Sequence, residues 1–335
     1  MMSDTEKENI LSAIRSGTDF IRKQLLSGNY GLSCLGKDGN PKFSHDKGHL
    51  FSAFHIVDAL SDDLNEMERT IILMRILSEE YNGQWGYSPR GYYNETGNNP
   101  FFVDADDTAF ALRTLRALDI YRSNDVLTNY KRICRYNDVY FPAFVTFITD
   151  MKGKKMETVP SSQNNLQIHP EVNANIYHVL LDSNNEHLIS EQLIKASQQQ
   201  DGSWSSFFYP DQYYSIFQFM SLLHKKKLLH TCYEKGMSYV KQEQNSNGSW
   251  SKNEDVYSTA LALKTLCLDK KNSDAIQKGI SFIVANLSKN GSWNSNQVIW
   301  QFHDDKNDIW QAYDVNCVIT TSVCVEVLKL FVSGI

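Results

Sequence analysis

Apolar positions recur along this chain at helical spacing, and they recur in copies. Ala111, Leu115 and Leu118 form one stripe of a segment that starts at Asp104. Thr108-Ala-Phe-Ala-Leu-Arg-Thr-Leu115 aligns almost residue for residue with Thr259-Ala-Leu-Ala-Leu-Lys-Thr-Leu266. Looser copies run from Asn173 to Leu180, Ser215 to Leu222 and Thr321 to Leu328, and Leu50 to Val57 opens the series. Their small residues and leucines predict helices packed on both sides. The segments that precede them end in Lys, Gln and Glu, which suits helices with one face in water.

Between the two kinds of segment lies a second repeat. Lys235-Gly236-x-x-Tyr239-Val240, followed by Gln244 and Gly248-Ser249-Trp250, recurs as Lys278-Gly279-x-x-Phe282-Ile283 followed by Gly291-Ser292-Trp293. Gln198 to Trp204 repeats the second half, Asn82-Gly83-Gln84-Trp85 is a weaker copy, and Gly17 to Tyr30 is a worn one with Tyr in place of Trp. A sixth, degenerate unit is expected around Tyr140 to Thr149. A period of about 45 residues marks stacked helical hairpins. An open solenoid would need capping repeats, whereas six hairpins close a double ring of inner and outer helices. The expected fold is therefore all-α, an (α/α)6 barrel that takes residues 1–335 as one domain. Gly permits a tight turn at each outer-helix C-terminus, Trp can lie across the end of a neighbouring helix, and the upstream Gln can bond backbone groups left free there. These residues read as staples of the scaffold.

Composition narrows the function classes. The net charge of -6 gives no electrostatic footprint for nucleic acid. No apolar run approaches the roughly 20 residues that span a bilayer, and the stretch from Met1 to Asn9 is polar and charged, unlike a secretory leader. The cysteines, Cys34, Cys134, Cys232, Cys267, Cys317 and Cys324, form no Cys-x-x-Cys pair and no zinc-finger spacing. They read as reduced, mostly buried side chains of a cytoplasmic protein.

Candidate chemistry concentrates at Asp104, Asp106 and Asp107. Aspartate is a preferred N-cap, and carboxylates at a helix N-terminus gain about 0.3–1 kcal/mol each, so a generous cap is one reading. The chain carries its own control. The Thr259–Leu266 helix has Asp255, Tyr257 and Ser258 at the same ranks, so one Asp is enough to start such a helix and two are surplus. The surplus would serve an acid. Burial and neighbouring carboxylates both raise a carboxyl pKa, by up to several units, against a helix-dipole effect of about 1 kcal/mol. A carboxyl still protonated near pH 7 can protonate an alkene.

Asp104-Ala-Asp106-Asp107-Thr108-Ala109 resembles the Asp-x-Asp-Asp-Thr-Ala signature of class II terpene cyclases, and the Gln…Gly-x-Trp units resemble the QW motifs of squalene-hopene cyclases. The resemblance implies the toroid of that superfamily with Asp106 as proton donor. His169-Pro-Glu171-Val-Asn173-Ala-Asn175-Ile-Tyr177 resembles the segment whose polar residue hydrogen-bonds the acid. Asn175-Ile-Tyr177 is similar to the Asn-x-Tyr of copalyl-type cyclases acting on prenyl diphosphates, where squalene-type enzymes have His. Ser206 to Tyr214 also looks like a loop of the diphosphate group. The implied reaction is protonation of a polyprenyl chain such as farnesyl or geranylgeranyl diphosphate, or of a hydrocarbon such as squalene. Any diphosphate is expected to be retained. Protonation implies no cofactor, and Mg2+ would enter only with a diphosphate. Relatives of both kinds carry a second helical domain, for which this chain has no room. Its pocket would be open on one side, or completed by a second copy, a partner protein or the loops Gly86 to Pro100, Asp150 to Gln167 and Asn294 to Ile309. An isoprenoid substrate also fits a location peripheral to a membrane.

The ranks equivalent to Asp106 are Gly48, Glu171, Tyr213, Tyr257 and Ile319. Glu171 could join the acidic cluster, and Asn175 could orient the acid without adding a charge. Tyr213, Tyr214 and Tyr257 would face a common mouth, where π-faces stabilise a carbocation as they do other cations, or would pack between inner helices. His45, Lys47, His49 and His55 could hold a diphosphate or take the final proton, or could serve as caps and surface. Lys152, Lys154 and Lys155 read as a solvated loop, and Arg113 and Arg116, off the apolar stripe, as structural. Two other functions stay open. A zinc-dependent protein prenyltransferase β-like subunit resembles this toroid but uses Asp, Cys and His ligands, for which Asp314 and Cys317 are the nearest candidates. A non-catalytic toroid that binds lipid or protein would keep the fold with its acids as a remnant.

Overall fold

Six helices whose residues are buried on nearly every face form the inner ring. In the computed structural model, which describes residues 3–35, 41–44, 48–87, 103–136, 139–147, 168–183, 185–269, 273–295, 298–303 and 309–334, these are α2 (Leu50–Leu60), α4 (Ala105–Ala117), α5 (Pro170–Leu181), α7 (Tyr213–Lys226), α9 (Val256–Cys267) and α11 (Val318–Ser333). Every residue from Val256 to Leu266 is buried, and so is every one from Glu171 to Leu180. This explains why these segments are rich in small residues and leucine instead of showing a polar face. Each inner helix packs on the next in the order α2, α4, α5, α7, α9, α11, and α11 packs back on α2. The ring is closed, as the six-fold repeat predicts.

The outer helices α1 (Asp4–Ser27), α3 (Glu66–Ser78), α6 (Glu191–Ser197), α8 (His230–Gln242) and α10 (Ser273–Ala285) are half in water. In α8 only Gly236, Met237, Tyr239 and Val240 are buried. The Trp turns staple outer helices to inner ones. Trp85, Trp204, Trp250 and Trp293 are fully buried, and their indole N–H groups donate to Ile76, Ile194, Val240 and Ile283 carbonyls at the ends of their own outer helices. The backbone N–H of Trp85, Trp250 and Trp293 donates to Thr108, Thr259 and Thr321 on the succeeding inner helix. Gln198 and Gln244 reach the Cys232 and Ala275 carbonyls of the next outer helix. The rings of Trp204, Trp250 and Trp293 lie against Gly236, Gly279 and Gly17, where an added Cβ would come within 2.9, 2.9 and 2.7 Å of an indole carbon. The last of these contacts carries the repeat from unit six to unit one.

The third unit departs from the expectation of a helical hairpin around Tyr140 to Thr149. Its outer position is taken by a 3-10 turn at Asp125–Tyr130 and an antiparallel hairpin of β3 (Lys131–Tyr136) and β4 (Val139–Phe144), in register Ile133 with Pro142. The sequence reason is local. Val-Tyr-Phe-Pro-Ala-Phe is β-branched and aromatic, a composition that suits a strand. Asn173 on α5 locks the strand by accepting from the Phe144 N–H at 2.8 Å and donating to its carbonyl at 2.9 Å. A second sheet, ordered β2 (Pro41–Ser44), β1 (Ser33–Leu35), β6 (Ile309–Tyr313), β5 (Trp300–His303), pairs Cys34 with Ala312 and so ties the first unit to the sixth. No described helix is long and apolar enough to cross a membrane.

Candidate active site

The start of α4 is built as a cap with two additional acids. Asp104 is the N-cap, its side chain accepting from the Asp107 N–H at 2.7 Å, while Thr108 donates to the Asp104 carbonyl at 2.6 Å. Asp104 and Asp107 are buried, and Asp106 keeps partial access. Burial raises all three carboxyls, and like charge within the trio adds to it for Asp106 and Asp107. Asp106 is pushed up to about 8, first by burial and then by the Asp104 charge, with Glu171 contributing further; the Asn175 hydrogen bond and Arg113 pull it back.

Asn175 comes from α5, one turn after Glu171. Its Nδ2 donates to Asp106 Oδ1 at 2.6 Å and to the Tyr214 hydroxyl at 2.9 Å, and that hydroxyl lies 3.2 Å from Asn175 Oδ1. Tyr214 stacks on Tyr209, ring centroids 3.7 Å apart. Asp106, Asn175 and Tyr214 therefore meet, on three successive inner helices. Tyr257 neighbours Tyr214 electrostatically and is buried with it. Tyr213 does not join them. One residue of helical rotation turns it to the Ser251 backbone and Tyr239, so of the three tyrosines Tyr214 and Tyr257 are the two brought together.

Glu171 is fully buried, and it bonds backbone instead of the acids. Its Oε1 accepts from the Phe207 and Phe208 N–H groups at 2.7 and 2.9 Å and from Ser206 at 3.4 Å. His49 is the N-cap of α2, Nδ1 accepting from the Phe51 N–H at 3.1 Å, and it packs on Tyr87. Lys47, His45, the Lys152–Lys155 loop, and the loops Gly86 to Pro100 beyond Tyr87 and Asp150 to Gln167 lie outside the described residues. Asp314 caps α11 by accepting from the Val318 and Thr320 N–H groups. Among the described residues no three His, Cys, Asp or Glu side chains are grouped to hold a metal.

A second polar layer lies two turns below the acid. Seven residues past the rank of Asp106 stand His55, Arg113, His178, Lys264 and Glu326. Arg113 pairs with Asp58 at 3.0 Å and lies over the Phe110 ring; Lys264 pairs with Glu326 at 2.6 Å and lies over Phe217. Burial pushes His55 down to about 4 and His178 to about 3, so both are neutral. Arg113 is thus structural in its ion pair, but it faces the other inner helices. Sequence reasoning missed this layer and Tyr209. The repeat alignment that placed Tyr257 beside Asp106, carried on for seven residues, would have found the layer.

Residues 80–302 match the squalene-hopene cyclase C-terminal domain. The chain belongs to that family. Among solved structures it is similar to the type II terpene cyclase MstE from Scytonema without ligand, at 16% identity over 98% of this chain and 100% of that one, with a TM-score of 0.74. A variant of MstE in complex with geranylgeranyl dihydroxybenzoate, its substrate, gives 16% identity over 98% of this chain and 99% of that one, with a TM-score of 0.73. The ent-copalyl diphosphate synthase from Streptomyces platensis gives 17% identity and a TM-score of 0.58 over 83% of this chain and 50% of that one. Likeness at these identities shows the toroid itself. No curated protein matches the chain.

Proposed function

We propose that the chain is a class II terpene cyclase in which Asp106 protonates the terminal alkene of a linear polyprenyl substrate. The observation that carries this reading is the Asp106 carboxyl, raised to about 8 and bonded by the neutral amide of Asn175. A general acid works best with its pKa near the working pH. The alkene π pair takes the Asp106 proton to form a C–H bond and leaves a tertiary cation. Internal double bonds then attack in turn to close rings, and loss of a proton beside the last cation returns an electron pair as C=C. The sum is an isomerisation, complete once the Asp106 carboxylate regains a proton. The stacked Tyr209 and Tyr214 rings offer π-faces to the cations.

In this reading the substrate head group is a diphosphate that stays attached, which the Asn175-Ile-Tyr177 pairing supports. Mg2+ would come with the diphosphate, because Asp104 is occupied as a cap and Asp106 by Asn175. A second reading is a prenylated aromatic acid. It is favoured by the coverage of MstE, nearly complete on both chains, against half of the copalyl diphosphate synthase. Incubation with farnesyl and geranylgeranyl diphosphate, geranylgeranyl dihydroxybenzoate and squalene separates the readings. The expected product is a cyclic isomer of unchanged mass from one of the first three. Stoichiometric release of pyrophosphate would exclude this class of reaction.

A further inference from the structure

An unbroken run of aromatic rings crosses the end of the barrel at which Asp106 sits. His49 packs on Tyr87 at 4.6 Å, Tyr87 stacks on Trp300 at 4.4 Å and 11°, and Trp300 runs parallel to Phe208 at 6.0 Å and 5°. Phe208 meets His169 at 4.7 Å, and Phe207 stacks on His169 at 4.3 Å. The ring order makes these contacts chords. Tyr87 precedes α4 and Trp300 precedes α11, with α2 between those helices; Phe208 precedes α7, separated from α11 by α9. The Gln301 N–H donates to the Phe208 carbonyl at 2.7 Å and fixes β5 to the same turn.

The run hangs from two carboxyl groups of the site. The Tyr87 N–H bonds Asp104, and the Phe207 and Phe208 N–H groups bond Glu171 Oε1. We propose that Glu171 is a positioning residue whose carboxylate suspends this aromatic roof over Asp106 and keeps bulk water off the acid. The inference rests on Asp106 being the proton donor. Two successive N–H groups aimed inward at the 207–208 turn need an acceptor, since an unpaired buried donor costs about 1–3 kcal/mol. Glu171 supplies it from the helix that also carries Asn175, so the roof and the partner of the acid share one rigid support. Burial is the largest cause of the raised Asp106 pKa, and the run of rings is tied by backbone N–H groups to Asp104 and Glu171 beside it. The rival is that Glu171 acts on Asp106 only through its charge.

The two are separable because Gln keeps the acceptor and loses the charge, whereas Ala loses both. The readout is the Asp106 carboxyl band in an infrared pH titration, assigned by subtracting the Asp106→Asn spectrum, which needs no substrate. The expected midpoint moves by less than about half a unit in Glu171→Gln and falls by about 1–2 units in Glu171→Ala as water enters. Trp300→Ala, which removes the central chord, is expected to give a fall of the same sign. Equal falls in the Gln and Ala variants would overturn the proposal, as would an unchanged midpoint in Trp300→Ala. If Glu171→Ala does not fold, Glu171→Gln and Trp300→Ala decide. A wild-type band that titrates in the ordinary carboxylate range would remove the donor reading as well, and with it the roof's purpose.

Discussion

The starts of α4 and α9 are the same piece of architecture used twice. Each has an Asp N-cap that accepts from the N–H three residues on, 2.7 Å from Asp107 and 2.9 Å from Ser258. In each, a threonine donates to the cap carbonyl at 2.6 Å and accepts from the backbone N–H of the preceding turn's Trp. The polar difference lies in two side chains, Asp106 and Asp107 against Tyr257 and Ser258, beside an apolar change of Ala105 to Val256. The scaffold therefore explains one aspartate and leaves two unexplained. Those two bring like charge into a buried place where the α9 start has a phenol and a hydroxyl. The α4 start is the one that faces an amide, Asn175, on the next helix. At the equivalent place beside α9, α11 has Val323.

Asp106→Asn tests this contrast most severely. It keeps shape and removes the transferable proton, so turnover is expected to fall by about a thousandfold or more while the helix cap, which is Asp104, stays intact. Its stability should change with a definite sign. Because the folded-state pKa is raised, the native protein binds more protons than the unfolded chain between the ordinary carboxylate range and about 8, and stability is lost as pH rises through that window. Melting curves at pH 8 to 9 should therefore show Asp106→Asn at or above the wild type. Near-normal turnover in a folded Asp106→Asn protein would end the cyclase reading.

Asn175→Leu comes next, filling the space and deleting the donor. Turnover is expected to drop by roughly 10–100-fold, because the acid loses its orientation but keeps its proton. The Asn175 bond favours the charged form, so the alkaline limb of the pH–rate profile, where activity disappears as Asp106 deprotonates near 8, should move upward. A downward move would show that Asn175 acts otherwise. The double change Tyr257→Asp with Ser258→Asp rebuilds the α4 acids on α9 without an amide opposite. No gain in activity is expected, and buried carboxyls lacking partners should cost about 1–3 kcal/mol each, readable as a lower melting temperature. The smallest effects are expected from the caps. Asp255→Asn should leave turnover unchanged, and Asp104→Asn should lower it only a few-fold, since Asn caps a helix about as well as Asp. A collapse in Asp104→Asn equal to that of Asp106→Asn would mean that the pair, and not Asp106, is the acid.

The ring was legible because its repeat is written in residues with one job each. Trp, Gly and Gln mark the turns, and small residues mark the inner helices. The third unit was not, because β3 and β4 fill an outer-helix position with a strand pattern that no neighbouring unit shares. Asp106 and Asn175 were legible as a pair, since rank on adjacent inner helices fixes height in the barrel. Rotation about each helix axis is finer than rank, and there the reading failed. Tyr213 and Tyr214 differ by one residue, about 100° of turn, and only Tyr214 reaches Asn175. The role of Glu171 was hidden for a different reason. Its partners are backbone N–H groups of a turn remote in sequence, which no side-chain pattern can announce.

The contact of the Trp293 ring with Gly17 has a statistical-mechanical consequence. In a linear array each end unit has one neighbour, so melting begins at the ends and runs inward. When unit six is stapled to unit one, the array has periodic boundaries, and freeing any unit requires breaking two interfaces at once. The units then have no favoured starting point for unfolding except where the chain of Trp contacts is interrupted. Among the described residues such interruptions fall at the turn of the first unit, which has Tyr30 in place of Trp, and at the β3–β4 unit, whose strands have no outer helix for Trp85 to cover. Amide hydrogen exchange should find its least protected ordered backbone at these two places, ahead of α1 and α11, although these two helices lie nearest the chain's ends.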